Sequence, residues 1–142
     1  MKKLLIIPSV TLFCLLAGCS SPDTSGVSEL PDADCEQLIS FPSNFEFNPW
    51  RVHEERREAI TYIEEDAKEK GFDVGIPYYE DWKSRANAVI DDRIIEVEAN
   101  AGRVSVELDD GDIRSAMQAV ASSASPGNLG TLEGLFEKCA KQ

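Results

Sequence analysis

Few residues in this chain are of a type that does chemistry, and their spacing limits what they can do. His53 is the only histidine, and it stands beside Glu54 and Glu55. A general base needs a substrate proton within hydrogen-bond reach and a group to orient it. No Gly-x-Ser-x-Gly turn supplies a nucleophile for it. His53 therefore reads as a surface side chain. Glu54/Glu58 and Asp92/Glu96 have the residue types of a hydrolase's two carboxylates. Each pair is four apart, which on a helix is simply one acidic solvent face. Asp109-Asp110-Gly111-Asp112 invites a calcium loop. Aligning Gly111 with the loop glycine of an EF-hand puts Val106 and Leu108 at ligand positions. It also puts Met117 where the closing Glu belongs. The stretch reads instead as a turn and a helix start. No phosphate-cradling loop or dinucleotide fingerprint occurs. The expectation is a chain with no catalytic set, no metal site and no cofactor.

Aromatic residues are the better candidates. Phe45, Phe47 and Trp50 fall in the irregular stretch Phe41–Trp50, and Tyr78, Tyr79 and Trp82 open a later helix. The two groups flank the first long helix. They are expected to contact a ligand or partner across a groove. The competing expectation is that they plug the end of a helical bundle.

The four cysteines, Cys14, Cys19, Cys35 and Cys139, have separate fates. Lys2 and Lys3 precede an apolar run of 13 residues, Leu4–Leu16, which ends in Leu16-Ala17-Gly18-Cys19. The run suits a signal-peptide core and is short of the roughly 20 residues a membrane span needs. Ser20, Ser21, Pro22 and Asp23 stop it at once. The segment resembles the signal peptide of bacterial lipoproteins, with Leu16–Cys19 in the place of the lipobox. The resemblance covers residues 1–19 only. It implies that the Cys19 thiol receives a diacylglycerol, that the chain is cut before Cys19, and that the new amine is acylated, with palmitate-type chains. Two or more such chains hold a protein on a bilayer where one does so only marginally. It also implies a cell-envelope location. With Ser20 after the cysteine, that is the outer membrane where the host has one, and otherwise the outer face of the plasma membrane.

Cys14 leaves with the signal and Cys19 is used by lipid, so Cys35 and Cys139 remain. Disulfides persist outside the cytoplasm, and two leftover cysteines there pair more often than they stay free. The alternatives are two buried thiols or a metal pair. No His or Cys near either one in sequence completes a metal set.

The whole chain carries net charge −12 from 14 basic and 26 acidic residues. Without Lys2 and Lys3 the mature chain has 12 basic residues and net charge −14. Phosphates demand basic patches, so nucleic acid is excluded as a partner. A polybasic membrane-binding face is excluded by the same balance.

These residues must be positioned by the elements around them. Residues 1–18 are read as signal peptide, 19–31 as lipidated N-terminus and flexible tether, and 32–142 as one domain. Ser20–Pro31 is rich in Ser, Pro, Asp and Gly. Its contour reaches on the order of 40 Å at about 3.3 Å per residue. Asp32–Phe41 is a short helix capped by Asp32 or Asp34, with Cys35, Leu38 and Ile39 on one face. Asn48-Pro49 starts a long helix that stops at Gly71. Val52, Ala59, Ile60, Ile63 and Ala67 line its apolar face. A second long helix over Tyr78–Ala101 presents Trp82, Ala86, Val89, Ile90, Ile94 and Val97, and Gly102 ends it. The alternative is a hairpin at about 94–108, because Val104, Val106 and Leu108 alternate. Ile113, Ala116, Met117, Val120, Ala121 and Ala124 mark a further helix ended by Ser125-Pro126-Gly127. Leu129, Leu132, Leu135, Phe136 and Cys139 mark the last, whose Cys139 docks on Cys35.

The predicted fold is all-α, a small antiparallel helical bundle behind a signal peptide and tether, with α+β as the alternative. The predicted role is a non-enzymatic binding module, held on the membrane by its acyl chains, for an envelope protein or a small ligand. An inhibitor or exclusion factor acting on a basic protein partner is the second class. A cell-wall-acting enzyme is the third.

Overall fold

A computed structural model describes residues 29–109 and 111–142. The predicted signal peptide, Cys14, Cys19 and the tether up to residue 28 lie outside the described residues, as does Asp110. Five helices make up the fold: α1 (Asp32–Ser40), α2 (Val52–Glu69), α3 (Pro77–Ser105), α4 (Gly111–Ser122) and α5 (Pro126–Cys139). Short 3-10 turns at Phe41–Asn44 and Pro49–Arg51 join α1 to α2. Among the described residues there is no strand, so the chain is an all-α bundle.

The helices begin and end where local chemistry tells them to. Asn48 Oδ1 accepts from the Trp50 amide at 3.0 Å, and Pro49 follows it as a preset first residue. Gly71 ends α2 at φ +73°, a left-handed position that favours glycine. There the Phe72 and Gly71 amides close back on the Ala67 and Lys68 carbonyls, satisfying two orphan acceptors. Ser125 Oγ accepts from the Asn128 amide, so Ser125-Pro126 starts α5. The sequence reading had it end α4, which stops at Ser122.

Asp34 is not a helix cap either. Pro31 holds the cap position of α1 without a side-chain bond. Asp34 turns inward, is 2% exposed, and accepts from the Asp109 amide at 3.0 Å. It thereby ties α1 to the corner between α3 and α4.

Helix α3 runs on through Gly102 to Ser105, against both the expected stop and the hairpin alternative. The reason lies in the period. Val104 and Leu108 are four apart and so fit a strand or a helix equally. Val106 separates the two, because a hairpin would bury it beside them. It is 80% exposed, while Val97, Ala101, Val104, Ser105 and Leu108 are buried at helical spacing. Gly102 sits where a Cβ would meet only Ala121 Cβ, at an ordinary 3.7 Å. An alanine would fit there too, and Gly102 stays within α3 without ending it.

Helix α3 is the central element, packed on α2 along one half and on α4 along the other. Helix α5 closes on α4 and α1. The main core gathers Leu38, Phe41, Val52, Val97, Ile113, Met117, Val120 and Leu132. Fully burying one such side chain stabilises the fold by about 1.5–3 kcal/mol. A second, small cluster of Ile63, Ala67 and Tyr79 lies between the far halves of α2 and α3. The Cys35–Cys139 disulfide joins α1 to the end of α5 across 104 residues of sequence.

Candidate functional site

The candidate residues divide between the two ends of α2. Its 18 residues span about 27 Å at 1.5 Å per residue. The first aromatic group sits at the N-terminal end of α2. Phe41 is fully buried, with the rings of Phe45 and Trp50 packed on it at centroid distances of 5.2 and 5.8 Å. Trp50 also meets Phe136 of α5 at 5.7 Å. Phe45, Phe47 and Trp50 are half-buried against the main core. They close that end of the bundle, beside open depressions of about 470 Å³ next to Phe136 and about 330 Å³ between Phe47 and Arg93. The Arg93 guanidinium lies over the Phe47 ring at 5.1 Å and pairs with Glu55 of α2.

The second group forms the tip of the α2–α3 hairpin. Tyr79 is 1% exposed, and its hydroxyl donates to Asp66 Oδ2 at 3.0 Å. Tyr78 and Trp82 pack on Tyr79 at 5.0 and 6.0 Å, and on each other at 5.1 Å. Phe72, from the connecting loop, completes the cluster at 6.4 Å from Tyr79. Phe72 and Tyr78 present 56% and 53% of their surface to solvent. The two aromatic groups therefore do not share the groove expected of them.

Asp66 sits between Tyr79 and Lys70. The Lys70 ammonium, and then the Tyr79 hydroxyl, hold its carboxyl below the usual value. Burial, reinforced by the bond to Asp66, pushes the Tyr79 phenol up. Asp66 in turn raises Lys70. These shifts describe a Lys70–Asp66–Tyr79 network that ties the end of α2 to the start of α3.

The other candidates have structural partners too. His53 was expected on the surface, yet it is half-buried with Nε2 2.6 Å from the Ala124 carbonyl oxygen. The Ala124 amide donates to Glu98 at 2.9 Å. The corner between α4 and α5 is thus held by one side chain from α2 and one from α3. Glu54 and Glu58 are both bound by Arg51, at 2.8 and 3.0 Å. That bond holds the Glu54 carboxyl below the usual range. Among the described residues no three His, Cys, Asp or Glu side chains gather as a metal set. No described helix is long and apolar enough to cross a membrane.

Three exposed residues escaped the sequence reading. Phe72 follows the helix stop at Gly71, and its amide bond to the Ala67 carbonyl brings it back over the end of α2. Tyr62 is 64% exposed on α2. Val89 was assigned to the apolar face of α3 and is instead 52% exposed. Val89 keeps the spacing of Trp82 and Tyr78, seven and eleven residues away, and Ile90 that of Tyr79, eleven away, so spacing groups the two without telling which group is buried. No family model, no curated protein and no solved structure matches the chain.

Proposed function

We propose that this is a lipid-anchored envelope protein whose folded part binds another envelope protein through the tip of its α2–α3 hairpin, without catalysis. The observation that carries the binding reading is the pair Phe72 and Tyr78. Two large rings, each more than half exposed, both pack on one buried tyrosine. Aromatic side chains with fixed rings are what protein interfaces use as anchors. A fold that only needed to cap its second cluster would have turned them inward.

The anchor reading rests on residues 1–19 and on the fate of the cysteines. With Cys35 and Cys139 joined, Cys19 is the cysteine of the mature chain left for lipid. The inhibitor reading is a special case of the same proposal, favoured by the acidic excess, in which the partner is basic and is blocked by the contact.

Two measurements test the proposal. Cells expressing the chain are labelled with an alkyne palmitate analogue. The label is expected on the wild type and lost in Cys19→Ser, and an unlabelled wild type would sink the anchor. A photo-crosslinking residue at Tyr78 is expected to give one discrete heavier species on intact cells. The same residue at Thr131 is expected to give none. Indistinguishable patterns would remove the hairpin tip as a binding surface.

A further inference from the structure

The hairpin tip continues into an uncovered strip. Glu55, Ala59, Tyr62 and Asp66 recur along α2 at intervals of four, three and four. Tyr78, Trp82, Ala86, Val89 and Arg93 do the same along α3. Each set is therefore one stripe of its helix. Two contacts put both stripes on the same flank. Arg93 pairs with Glu55 at one end, and Asp66 accepts from Tyr79, next to Tyr78, at the other. Between those pins the surface is apolar. Tyr62, Tyr78 and Val89 are more than half exposed, and Trp82, Ala86 and Ala59 are half-buried. From Tyr78 to Arg93 the strip is about 22 Å long at 1.5 Å per residue, which matches four turns of a helix.

Farther along, α3 is covered by α4, whose Ile113, Met117 and Val120 enter the main core. Along the strip, among the described residues, α2 is the helix that packs on α3. Two antiparallel helices with an open apolar flank form a seat for a third.

Charge selects the third helix. Glu58, Glu65 and Glu69 border the strip on α2, and Asp81, Asp92 and Glu96 border it on α3. Arg85 is bound to Asp81, Arg93 to Glu55 and Lys70 to Asp66, which leaves Arg57, beside Glu58, Tyr62 and Glu65, as a cation near these borders outside the ion pairs. Among the described residues Glu65, Glu69, Asp92 and Glu96 have no ion-pair partner. We infer that the strip seats a basic amphipathic helix of a partner protein, its apolar face on Tyr62, Trp82 and Val89 and its Lys or Arg residues against the two acidic borders. This inference rests on the binding-module reading above and names the chemistry of the partner.

The test uses the lipidated full chain in phosphatidylcholine nanodiscs, with empty nanodiscs as the blank. The probe is a fluorescent 18-residue Leu/Lys amphipathic helix, and its Leu/Glu counterpart is the control. The Leu/Lys peptide is expected to bind, more weakly as salt rises, and the Leu/Glu peptide is not. Val89→Lys is expected to weaken binding about tenfold or more, while Thr131→Lys, which adds the same charge elsewhere, leaves it unchanged. Equal losses in the two variants would reduce the effect to net charge and overturn the inference. So would binding of the Leu/Glu peptide, or a dimer in sedimentation that Val89→Lys dissociates, since a second copy would then be the occupant. A Tyr78 crosslink on cells without peptide binding would refute the basic helix and leave the binding module standing. Loss of both would remove the two together.

Discussion

Replacing Cys35 and Cys139 together by alanine removes the single covalent link between the two ends of the fold. The bond closes 104 residues of sequence. In the chain-entropy account, a loop of about 100 residues restrained in the unfolded state is worth about 4.7 kcal/mol at 25 °C. Both cysteines are buried, so alanine also leaves two small voids, and the reduced wild type serves as the comparison that removes no atoms. One kcal/mol moves the midpoint of a domain of this size by about 4 °C or more, so the link corresponds to roughly 20 °C. The assay is thermal and urea unfolding of the full chain, followed by circular dichroism at 222 nm. The denaturant slope is expected to rise, because the unlinked chain expands further on unfolding. Helicity at 25 °C is expected to persist, because Leu38 and Phe41 remain buried and each holds α1 by about 1.5–3 kcal/mol. Amide protection in α1 should fall before that of α3. A loss below about 1 kcal/mol, in both the variant and the reduced wild type, would refute the reasoning.

Three further outcomes follow from other parts of the bundle. Gly130→Ala and Gly134→Ala are each expected to raise stability by about 0.5–1 kcal/mol in urea unfolding. Both are inside α5, at non-positive φ, and nothing lies within 4 Å of the added Cβ. His53→Ala is expected to cost about 1–3 kcal/mol, because the Ala124 carbonyl loses its partner in a partly buried corner; an unchanged urea midpoint would contradict that role. The Asp66 network gives a stability plateau with two limbs. Asp66 has a lowered pKa, so its contribution is present above the usual value near 3.8 and is lost as pH falls through the folded value. Tyr79 has a raised pKa, so its contribution is present below 10.0 and is lost as pH rises through the folded value. Unfolding free energy against pH should lose part of its alkaline limb in Tyr79→Phe and part of its acid limb in Asp66→Asn.

How much of this was legible in the sequence depended on whether one residue could decide between two readings. The helical turn at Asn48-Pro49 and the stop at Gly71 were legible because each rests on local backbone chemistry that nothing distant overrides, although that turn is 3-10 and α2 itself begins only at Val52. The Cys35–Cys139 pairing was legible by counting cysteines, with no geometry needed. The length of α3 was not, because Val104 and Leu108 satisfy both periods and the burial that ranks them comes from α4. His53 failed for a similar reason: its partner is a carbonyl 71 residues away, at a corner that no local pattern announces.

The binding flank was the least legible part, and its obscurity has a physical cause. Val89 and Ile90 are adjacent apolar residues, and a broad apolar stripe accommodates both. Only the packed structure tells that Ile90 is 4% exposed and Val89 is 52% exposed. A stripe wider than one neighbouring helix can cover is how a sequence encodes a second neighbour. In α3 the surplus is Tyr78, Trp82 and Val89, at spacings of four and seven, on the flank that α2 leaves open. Beyond Arg93 the exposed apolar residue within α3 is Ile95, at 61%, and its neighbours three and four residues away are Asp91, Asp92, Glu98 and Ala99; Val106, at 80%, lies beyond the helix end. Tyr78, Trp82 and Val89 form a continuous stripe on the half of α3 that lacks a third helix, whereas Ile95 stands alone among mostly polar neighbours. This is the distribution a docking face requires, and scattered surface valines would not produce it.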